Sequence, residues 1–212
     1  MNLLTDKKIG VVGVAGSTYV PSIPAPWWIS NFADMSVYLR THFIQHTSRG
    51  LEKNLLPSEI APDKKLFEVV LLDGVWFCCR KKVWDEMKFD EKYGGFHFYD
   101  LDFSMAVYSK GYHNYVTHEV LLEHFSKGHL DNQWMESAFL FQKKWKALLP
   151  VAIGSIDKHA RKLINREALR NILTITLDRS PTGMNWFGYW LKYFLTEPFK
   201  LLTYSLLKSR IW

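Results

Sequence analysis

The sequence predicts an α/β fold in which a mixed sheet is flanked by helices and is followed by a C-terminal helical tail. Residues 66–79 are a run of apolar and β-branched side chains typical of a buried strand. Residues 89–125 combine a helical pattern with a strand-like one, and residues 131–149 repeat apolar side chains at three- and four-residue steps, as an amphipathic helix does. We therefore divide the chain into an α/β domain at residues 1–150 and a basic, aromatic helical tail at residues 151–212.

The composition supports a folded core and argues against a general nucleic-acid binder. The 212 residues are 48% hydrophobic and 16% aromatic, enough to bury a sizeable core. The net charge of +6 is uneven: residues 1–150 carry 17 basic and 17 acidic side chains, whereas residues 151–212 carry 10 and 4. A neutral body with a basic tail does not have the charge distribution of a nucleic-acid-binding domain.

The two cysteines and the hydropathy of the chain indicate the redox compartment of the protein and its relation to a membrane. Cys78 and Cys79 are adjacent in a predicted strand, so their side chains face opposite ways, which argues against a disulfide or a metal site and for a reducing, cytosolic compartment. No segment reaches the roughly 18 uninterrupted apolar residues expected of a membrane-spanning helix.

The N-terminal third predicts short strands joined by loops. Residues 9–15 are rich in valine and predict a buried strand. The glycines of this region do not have dinucleotide-binding spacing, and the three prolines between residues 21 and 26 prevent a following helix. Residues 36–45 predict a strand or hairpin arm, and the polar residues 47–65 predict a surface loop.

The strand predicted at residues 66–79 is interrupted by Asp73 and Gly74, which indicates a bulge or a bend. A short helix is expected at residues 80–87. A carboxylate inside an apolar strand is costly unless it is paired or used, so Asp73 is favoured as a site residue.

The middle of the chain predicts a loop, a buried helix and a strand. Residues 100–108 have apolar side chains on both helical faces, and Gly111 is suited to end the helix. The loop thus brings Asp100 and Asp102 to the start of the helix, and the following strand brings His124. Two simpler explanations remain: acids stabilise a helix N-terminus, and a single histidine is more often packed than a ligand.

The tail predicts a basic helix at residues 156–173 and an aromatic, basic segment from residue 185, which Pro198 is expected to split into two helices. Tryptophan, tyrosine and lysine together are typical of a membrane interface, so residues 185–212 predict peripheral attachment to a membrane surface. The alternative is a helix packed on its own domain. The aromatic side chains expected to be exposed for membrane binding are Trp186, Trp190, Phe194, Phe199 and Trp212.

The central segment carries a family resemblance. The chain resembles the C-terminal catalytic half of family 2 glycosyltransferases, inverting enzymes with the GT-A fold, in the segment FDEKYGGFHFYDLDFSMAVYSKGYHNYVTHEVLLEHFSKG. Its Phe-Asp-Glu turn, aromatic loop, acidic motif opening a helix, Gly-Tyr pair and strand ending in histidine occur in the family's order. Two further segments resemble the preceding parts of such enzymes, VVLLDGVWFCCRKKVWDEM and GVVGVAGSTYVP, so that the resemblance spans about residues 8–150.

The resemblance implies roles for individual residues. Asp100 matches the catalytic base that deprotonates the acceptor hydroxyl, and Asp102 would orient this loop or the acceptor. His124 matches a position that in some relatives completes the shell of a divalent ion, Mg²⁺ or Mn²⁺, on the donor diphosphate. The residues implied to contact the substrate are Asp73, Gly74, Trp76, Tyr99 and Trp134.

The resemblance implies an inverting transfer from a nucleotide sugar to a saccharide or lipid-linked acceptor, in cell-surface glycan synthesis at the cytoplasmic face of a membrane. The family's nucleotide-binding half, with its Asp-x-Asp metal motif, would precede Ile9, so we expect an incomplete GT-A domain and a truncated or partial enzyme that binds nucleotide sugars weakly by itself. The alternative is a non-catalytic carbohydrate-binding or assembly subunit. A hydrolase using Asp100 and Asp102 is less favoured, because residues two apart at a helix start diverge.

Overall fold

A computed structural model of the chain describes residues 5–33, 36–54, 65–126, 128, 130–176, 185–196 and 198. The strands are β1 (Ile9–Gly13), β2 (Ala15–Ser17), β3 (Tyr19–Val20), β4 (Leu39–Thr41), β5 (Phe43–Thr47), β6 (Gly50–Asn54), β7 (Leu66–Val69), β8 (Leu71–Leu72), β9 (Phe77–Cys79), β10 (His113–Thr117), β11 (Glu123–His124) and β12 (Val151–Ala152). The α-helices are α1 (Lys81–Met87), α2 (Tyr99–Ser109), α3 (Asn132–Trp145), α4 (Lys158–Ile175) and α5 (Trp186–Thr196). Two short 3₁₀ helices lie at Ile29–Ala33 and Ser36–Tyr38.

The central sheet is mixed, which confirms the α/β class. Its strand order is β7-β10-β1-β9; β1 and β10 are parallel, and the two outer strands are antiparallel to their neighbours. Every residue of β1 is buried, as its valine content predicts. Helix α2 packs closely on this sheet because Gly10 has no side chain: a Cβ there would lie 2.3 Å from Val107 Cγ1.

The apolar run at residues 66–79 is three strands rather than one. Strand β7 pairs with β10 in the central sheet, β8 pairs with β2 in a second sheet of order β4-β2-β8, and β9 returns to pair with β1. The chain turns between β8 and β9 at Asp73 and Gly74, where the sequence predicts the interruption. The turn therefore separates two sheets and leaves both residues outside any strand.

A third small sheet has the order β11-β5-β6. Strands β5 and β6 form a hairpin whose last pair is Thr47 with Gly50, which confirms the predicted hairpin arm for residues 43–45. The rest of the predicted arm is different: residues 36–38 form a 3₁₀ helix, and β4 pairs with β2 in the second sheet. The prediction of a loop from residue 47 onward is wrong for residues 50–54, since these polar residues pair with β5 along an exposed edge; residues 55–64 lie outside the described residues. Strand β11 runs parallel to β5 and brings His124 beside Gln45.

The predicted helices are confirmed to within a few residues. Helix α2 buries Asp100, Leu101 and Met105 among others, as expected for a helix between two layers, and Gly111 follows it with a φ of 85°. Helix α3 begins where Asp131 accepts a hydrogen bond from the Trp134 amide, at 2.8 Å. These starts and stops are set by local side chains, so the sequence reveals them.

The first two helices of the tail share a hydrophobic core with the α/β body. Ile164 and Ile172 of α4 pack in one cluster with Leu71 of β8 and Met135 of α3, and the cluster extends to Trp190 of α5. The boundary predicted near residue 150 stays a prediction.

Two of the tryptophans expected on an exposed membrane face are buried. Trp186 and Trp190 are 9% and 8% exposed because they pack against α4 and its neighbours, so their predicted exposure is wrong. Helix α5 ends at Thr196, before Pro198 as predicted; Phe199, Trp212 and the second predicted helix lie outside the described residues. Among the helices that the structure describes, none has both the length and the hydrophobicity needed to cross a bilayer.

Candidate active site

A cavity of about 220 Å³ opens where the turn after β8, the start of α2 and the end of β11 meet. Its other walls come from the loop at residues 26–28, the loop at residues 96–98 and the start of α3. Six of the eight side chains proposed from sequence line this one cavity: Asp73, Gly74, Tyr99, Asp100, His124 and Trp134.

The start of α2 is held in an unusual backbone conformation. Phe98 precedes the helix with a φ of 66°, in the left-handed region that non-glycine residues rarely occupy. Its ring is buried against Trp134 and Phe141, with centroid distances of 5.6 and 5.5 Å. Packing on α3 thus holds a turn that directs Tyr99 and Asp100 toward the cavity.

The Asp100 carboxylate is fixed by two backbone amides. Its Oδ2 accepts a hydrogen bond from the Gly74 amide at 2.6 Å, and its Oδ1 accepts one from the Leu101 amide at 2.9 Å. The glycine is required for this approach, because a Cβ at position 74 would lie 2.6 Å from Tyr99 Oη and 3.0 Å from Asp100 Oδ2. The carboxylate is therefore oriented before any substrate arrives.

Asp73 lies beside it with its own two donors. Its Oδ2 accepts a hydrogen bond from Trp27 Nε1 at 2.6 Å, and its Oδ1 accepts one from the Val75 amide at 2.9 Å. The indole that makes this bond belongs to a loop 46 residues earlier in the chain. The carboxylate is thus paired with hydrogen-bond donors, as a buried charge requires.

The two carboxylates change each other's acidity. Burial raises the pKa of Asp100 to about 7, and the nearby charge of Asp73 contributes in the same direction. Burial also raises the pKa of Asp73, against the hydrogen bonds from Val75 and Trp27 and the charge of His124. Asp100 is therefore a stronger base than an ordinary aspartate and is still partly ionised at neutral pH.

The hydrogen bonds around His124 fix which of its ring nitrogens carries the proton. Gln45 Nε2 donates to the backbone oxygens of His124, Ser126 and His46, at 2.9, 3.2 and 3.0 Å, so the amide oxygen of Gln45 faces the ring. That oxygen lies 2.8 Å from His124 Nδ1 and accepts its proton. In the neutral ring the lone pair therefore lies on His124 Nε2, which is the tautomer in which Nε2 can bind a metal ion.

The described residues do not form a complete metal site. No three histidine, cysteine, aspartate or glutamate side chains within them are arranged to hold an ion. His124 could be one protein ligand, and the remaining ligands of Mg²⁺ or Mn²⁺ would have to be substrate oxygens and water. The expected ion stays a prediction.

Asp102 does not line the cavity, so the structure does not bring it together with Asp100 there, and its predicted role in orienting the loop or the acceptor stays a prediction. Its carboxylate, with 3% of the side chain exposed, accepts hydrogen bonds from Lys144 Nζ at 2.7 Å and Trp145 Nε1 at 2.8 Å. Residues two apart on a helix point in nearly opposite directions, so Asp100 and Asp102 cannot share one cavity. Lys144 also bonds Asp90 at 2.8 Å, and Asp102 thereby ties α2 to α3 and to the preceding loop.

Trp76 also lies outside the cavity lining, although the resemblance implies a sugar contact there. The bend that begins at Asp73 is the reason, since it turns the chain away into β9 after Val75. Trp76 is half-buried beside this turn.

Sequence reasoning missed the aromatic residues of two loops. Trp27 and Trp28 come from the proline-containing loop, and Phe96 and His97 come from the loop before α2. Phe96 is 67% exposed at the cavity. Adjacent tryptophans among prolines, in a loop too short to bury both, are the signal that could have marked Trp27 and Trp28.

The raised pKa of Asp100 predicts how stability depends on pH. Between about pH 4 and pH 7 the folded protein holds a proton on Asp100 that the unfolded chain releases, so stability falls as pH rises through this window. Asp100→Asn removes this titration. We therefore expect the free energy of unfolding of the variant to change less than that of wild type between pH 5 and pH 8, by up to about 2.5 kcal/mol. Urea denaturation at both pH values measures the difference.

The matched control for this stability prediction is Glu52→Gln, which removes an exposed carboxylate on β6. It should retain the wild-type pH dependence. Asparagine at position 100 loses one of the two amide hydrogen bonds, but this cost is the same at both pH values. If the free energy of unfolding changed equally between pH 5 and pH 8 in wild type and Asp100→Asn, the pKa of Asp100 would not be raised by folding.

Comparisons with known proteins support a glycosyl-transfer domain. A family model described as a glycosyltransferase-like family matches residues 1–144. No curated protein and no solved structure matches the chain. The matched residues include every side chain that lines the cavity.

Proposed function

Given that the chain belongs to this glycosyltransferase-like family, with a domain of the family 2 type, we propose that it transfers a sugar from a nucleotide-sugar donor to an acceptor hydroxyl, with Asp100 as the general base. The observation that carries the proposal is the oriented Asp100 carboxylate in a cavity wall, with its pKa raised to about 7. We further propose that the domain is of the GT-A type and that the acceptor is a saccharide or a lipid-linked sugar.

The proposed reaction is a single inverting displacement. Asp100 takes the proton of the acceptor hydroxyl while the acceptor oxygen forms a bond to the anomeric carbon. The bond between that carbon and the diphosphate oxygen breaks, and its electron pair leaves with the nucleoside diphosphate. A general base works best when its pKa lies near the working pH. A large fraction of the base is then ionised, and the base still binds a proton strongly enough to take it from the acceptor hydroxyl.

Orientation supports the proposal as much as basicity does. The amides of Gly74 and Leu101 hold both carboxylate oxygens, so a remaining lone pair can point at a hydroxyl without further reorganisation. When the Asp73 carboxylate, held by Trp27, is ionised, its negative charge raises the pKa of Asp100. We propose that these two aspartates work as a coupled pair in which only one ionises readily near neutral pH.

The size and lining of the cavity suit one sugar unit. Its volume of about 220 Å³ is below the roughly 300–1,000 Å³ of sites for drug-sized ligands. We propose that the ring faces of Trp134 and Tyr99 and the polar edge at Asp73 and Gly74 contact this unit. We propose His124 as a protein ligand for Mg²⁺ or Mn²⁺ if such an ion accompanies the donor; the ion would supply positive charge for the departing diphosphate.

The test is nucleotide release by the full chain. UDP-glucose, UDP-galactose, UDP-N-acetylglucosamine and GDP-mannose are incubated one at a time with Mg²⁺ or Mn²⁺ and a mixture of mono- and disaccharides. We expect at least one donor to release its nucleoside diphosphate faster when acceptor is present. Mass spectrometry then identifies the enlarged saccharide. Calorimetry with the same donors tests the prediction of weak nucleotide-sugar binding by this chain alone.

Saccharide binding without nucleotide release from any donor would contradict the proposal and favour the carbohydrate-binding or assembly subunit. Release that does not depend on an acceptor would contradict it differently, because the reaction would then be donor hydrolysis. If the nucleoside diphosphate is released and the new glycosidic bond has the same anomeric configuration as the donor, the chain is a transferase but the single inverting displacement is refuted.

A further inference from the structure

Helix α5 carries an exposed apolar stripe on one face. Phe187, Leu191 and Leu195 are 59%, 42% and 71% exposed and are spaced four residues apart, so they lie along one side of the helix. The side that packs on the core holds Trp190 and Tyr193, which are buried. The stripe is therefore separate from the core-packing face and is exposed in the part of the chain that the structure describes.

A groove of about 760 Å³ lies between α3 and α5, on the side of α5 that carries Tyr189 and Lys192; Lys192 follows Leu191 of the stripe in the chain. The ring of Tyr189 in α5 meets Phe139 of α3 with centroids 6.0 Å apart. The groove is lined by aromatic and aliphatic side chains and by three lysines: Phe139, Leu140, Tyr189, Lys143, Lys146 and Lys192.

The groove is basic. The ammonium groups of Lys143, Lys146 and Lys192 have no carboxylate partner within the part of the chain that the structure describes. Lys192 Nζ instead lies 5.5 Å from the Tyr189 ring centroid, which holds its charge against the groove wall. Glu136 is the acidic residue among the lining side chains, so positive charge exceeds negative charge by two.

From this juxtaposition we propose that α5 and the neighbouring end of α3 form a docking surface for an anionic lipid bilayer. The stripe of Phe187, Leu191 and Leu195 enters the interface between headgroups and acyl chains, and the three lysines contact headgroup phosphates. Apolar side chains next to unpaired lysines are the combination by which amphipathic helices adsorb to such a surface. This surface is separate from the cavity, and the inference does not depend on the proposed transfer reaction.

Charge decides between the possible occupants. Residues 199–212 of this chain carry Lys200, Lys208 and Arg210 and no acidic residue, so their charge has the same sign as that of the groove. A second copy would bring the same basic surface into contact with itself. An anionic bilayer supplies the opposite charge and an apolar layer together.

The experiment is vesicle flotation of the full chain. Vesicles of phosphatidylcholine with about one third phosphatidylglycerol are compared with phosphatidylcholine alone, at about 50 mM and 500 mM NaCl, where the screening length falls roughly threefold. We expect binding to the anionic vesicles at low salt to be at least about tenfold stronger than to the neutral ones.

Two triple variants test the residues. Replacing Phe187, Leu191 and Leu195 with serine, or Lys143, Lys146 and Lys192 with glutamine, should each weaken binding at least about tenfold. Matched controls remove the same number of exposed groups elsewhere and should bind as wild type: Val37, Leu51 and Leu121 to serine, and Lys53, Lys92 and Lys110 to glutamine. Circular dichroism checks that each variant folds.

Three outcomes would overturn the inference. The first is equal binding by wild type and both triple variants. The second is equal binding to neutral and anionic vesicles. The third is loss of a dimer, rather than of lipid binding, when the serine variant is compared with wild type by light scattering. Donor turnover with soluble saccharides should be unchanged in both variants, so a failure here is distinguishable from a failure of the proposed reaction.

Discussion

Replacing Asp100 with asparagine is expected to lower the turnover of the donor and acceptor pair by about 10²–10⁴-fold, the usual contribution of a positioned general base. Asparagine has nearly the same shape as aspartate but cannot accept the acceptor proton. Binding of the nucleotide sugar should be unchanged, because the carboxylate contacts the acceptor in the proposed reaction. Steady-state kinetics and calorimetry measure the two effects separately.

The pH profile gives this prediction a second readout. The wild-type rate should rise with pH through about 7, because Asp100 must be ionised to act as a base and burial holds its pKa there. Asp73→Asn removes the neighbouring charge that helps to raise this pKa, so the rising limb should move to lower pH. If Asp100 had only a structural role, Asp73→Asn would not shift the rising limb of the pH–rate profile.

The control for the kinetic prediction is again Glu52→Gln, whose rate and pH profile should match wild type. If Asp100→Asn retained full turnover, another group would have to be the base. A variant that lost turnover together with its fold would be recognised by denaturation, and only a folded Asp100→Asn protein tests the assignment.

The second large effect is on stability, at the contact between α2 and α3. Lys144→Met is expected to destabilise the protein by about 2–3 kcal/mol, because it leaves the buried Asp102 carboxylate without the cation that balances its charge. A fully buried pair would cost about 3–5 kcal/mol, but the Lys144 side chain is 32% exposed and water weakens the interaction. Urea denaturation at neutral pH measures the change.

Lys143→Met is the matched control for that variant, because Lys143 precedes Lys144 on the same helix and is exposed. It should change stability by no more than about 0.5 kcal/mol. The double variant Lys144→Met with Asp102→Leu should recover part of the loss, since no charge is then left buried. Equal losses for the two lysine variants would show that the Asp102–Lys144 contact contributes little.

The local elements of this protein are determined by the sequence. Helix α3 begins where Asp131 caps it, and the apolar period places Trp134, Ala138 and Phe141 on its buried side. Helix α2 ends before Gly111 for the same kind of local reason. Capping and side-chain period act over a few residues, so a single sequence contains the information needed to predict them.

The division of the strands was decided by tertiary structure. Residues 66–79 have one continuous apolar pattern, but β7, β8 and β9 pair with partners in two different sheets. Pairing depends on where β2, β10 and β1 lie in space. The sequence of the run itself contains no information about those positions, apart from the turn at Asp73 and Gly74.

For the candidate site too, some features were predicted from the sequence and others were decided only by the tertiary structure. The sequence and its family resemblance predicted Asp73, Asp100 and His124 as site residues, and the structure places all three in one cavity. Only the tertiary structure decided that Asp102 faces away toward Lys144, since α3 packs against one side of α2 and the cavity opens on the other. The indole of Trp27 reaches Asp73 from 46 residues away, and Gln45 fixes the His124 ring from 79 residues away. Contacts between residues so distant in the chain are set by packing of the whole domain, and no local pattern encodes them.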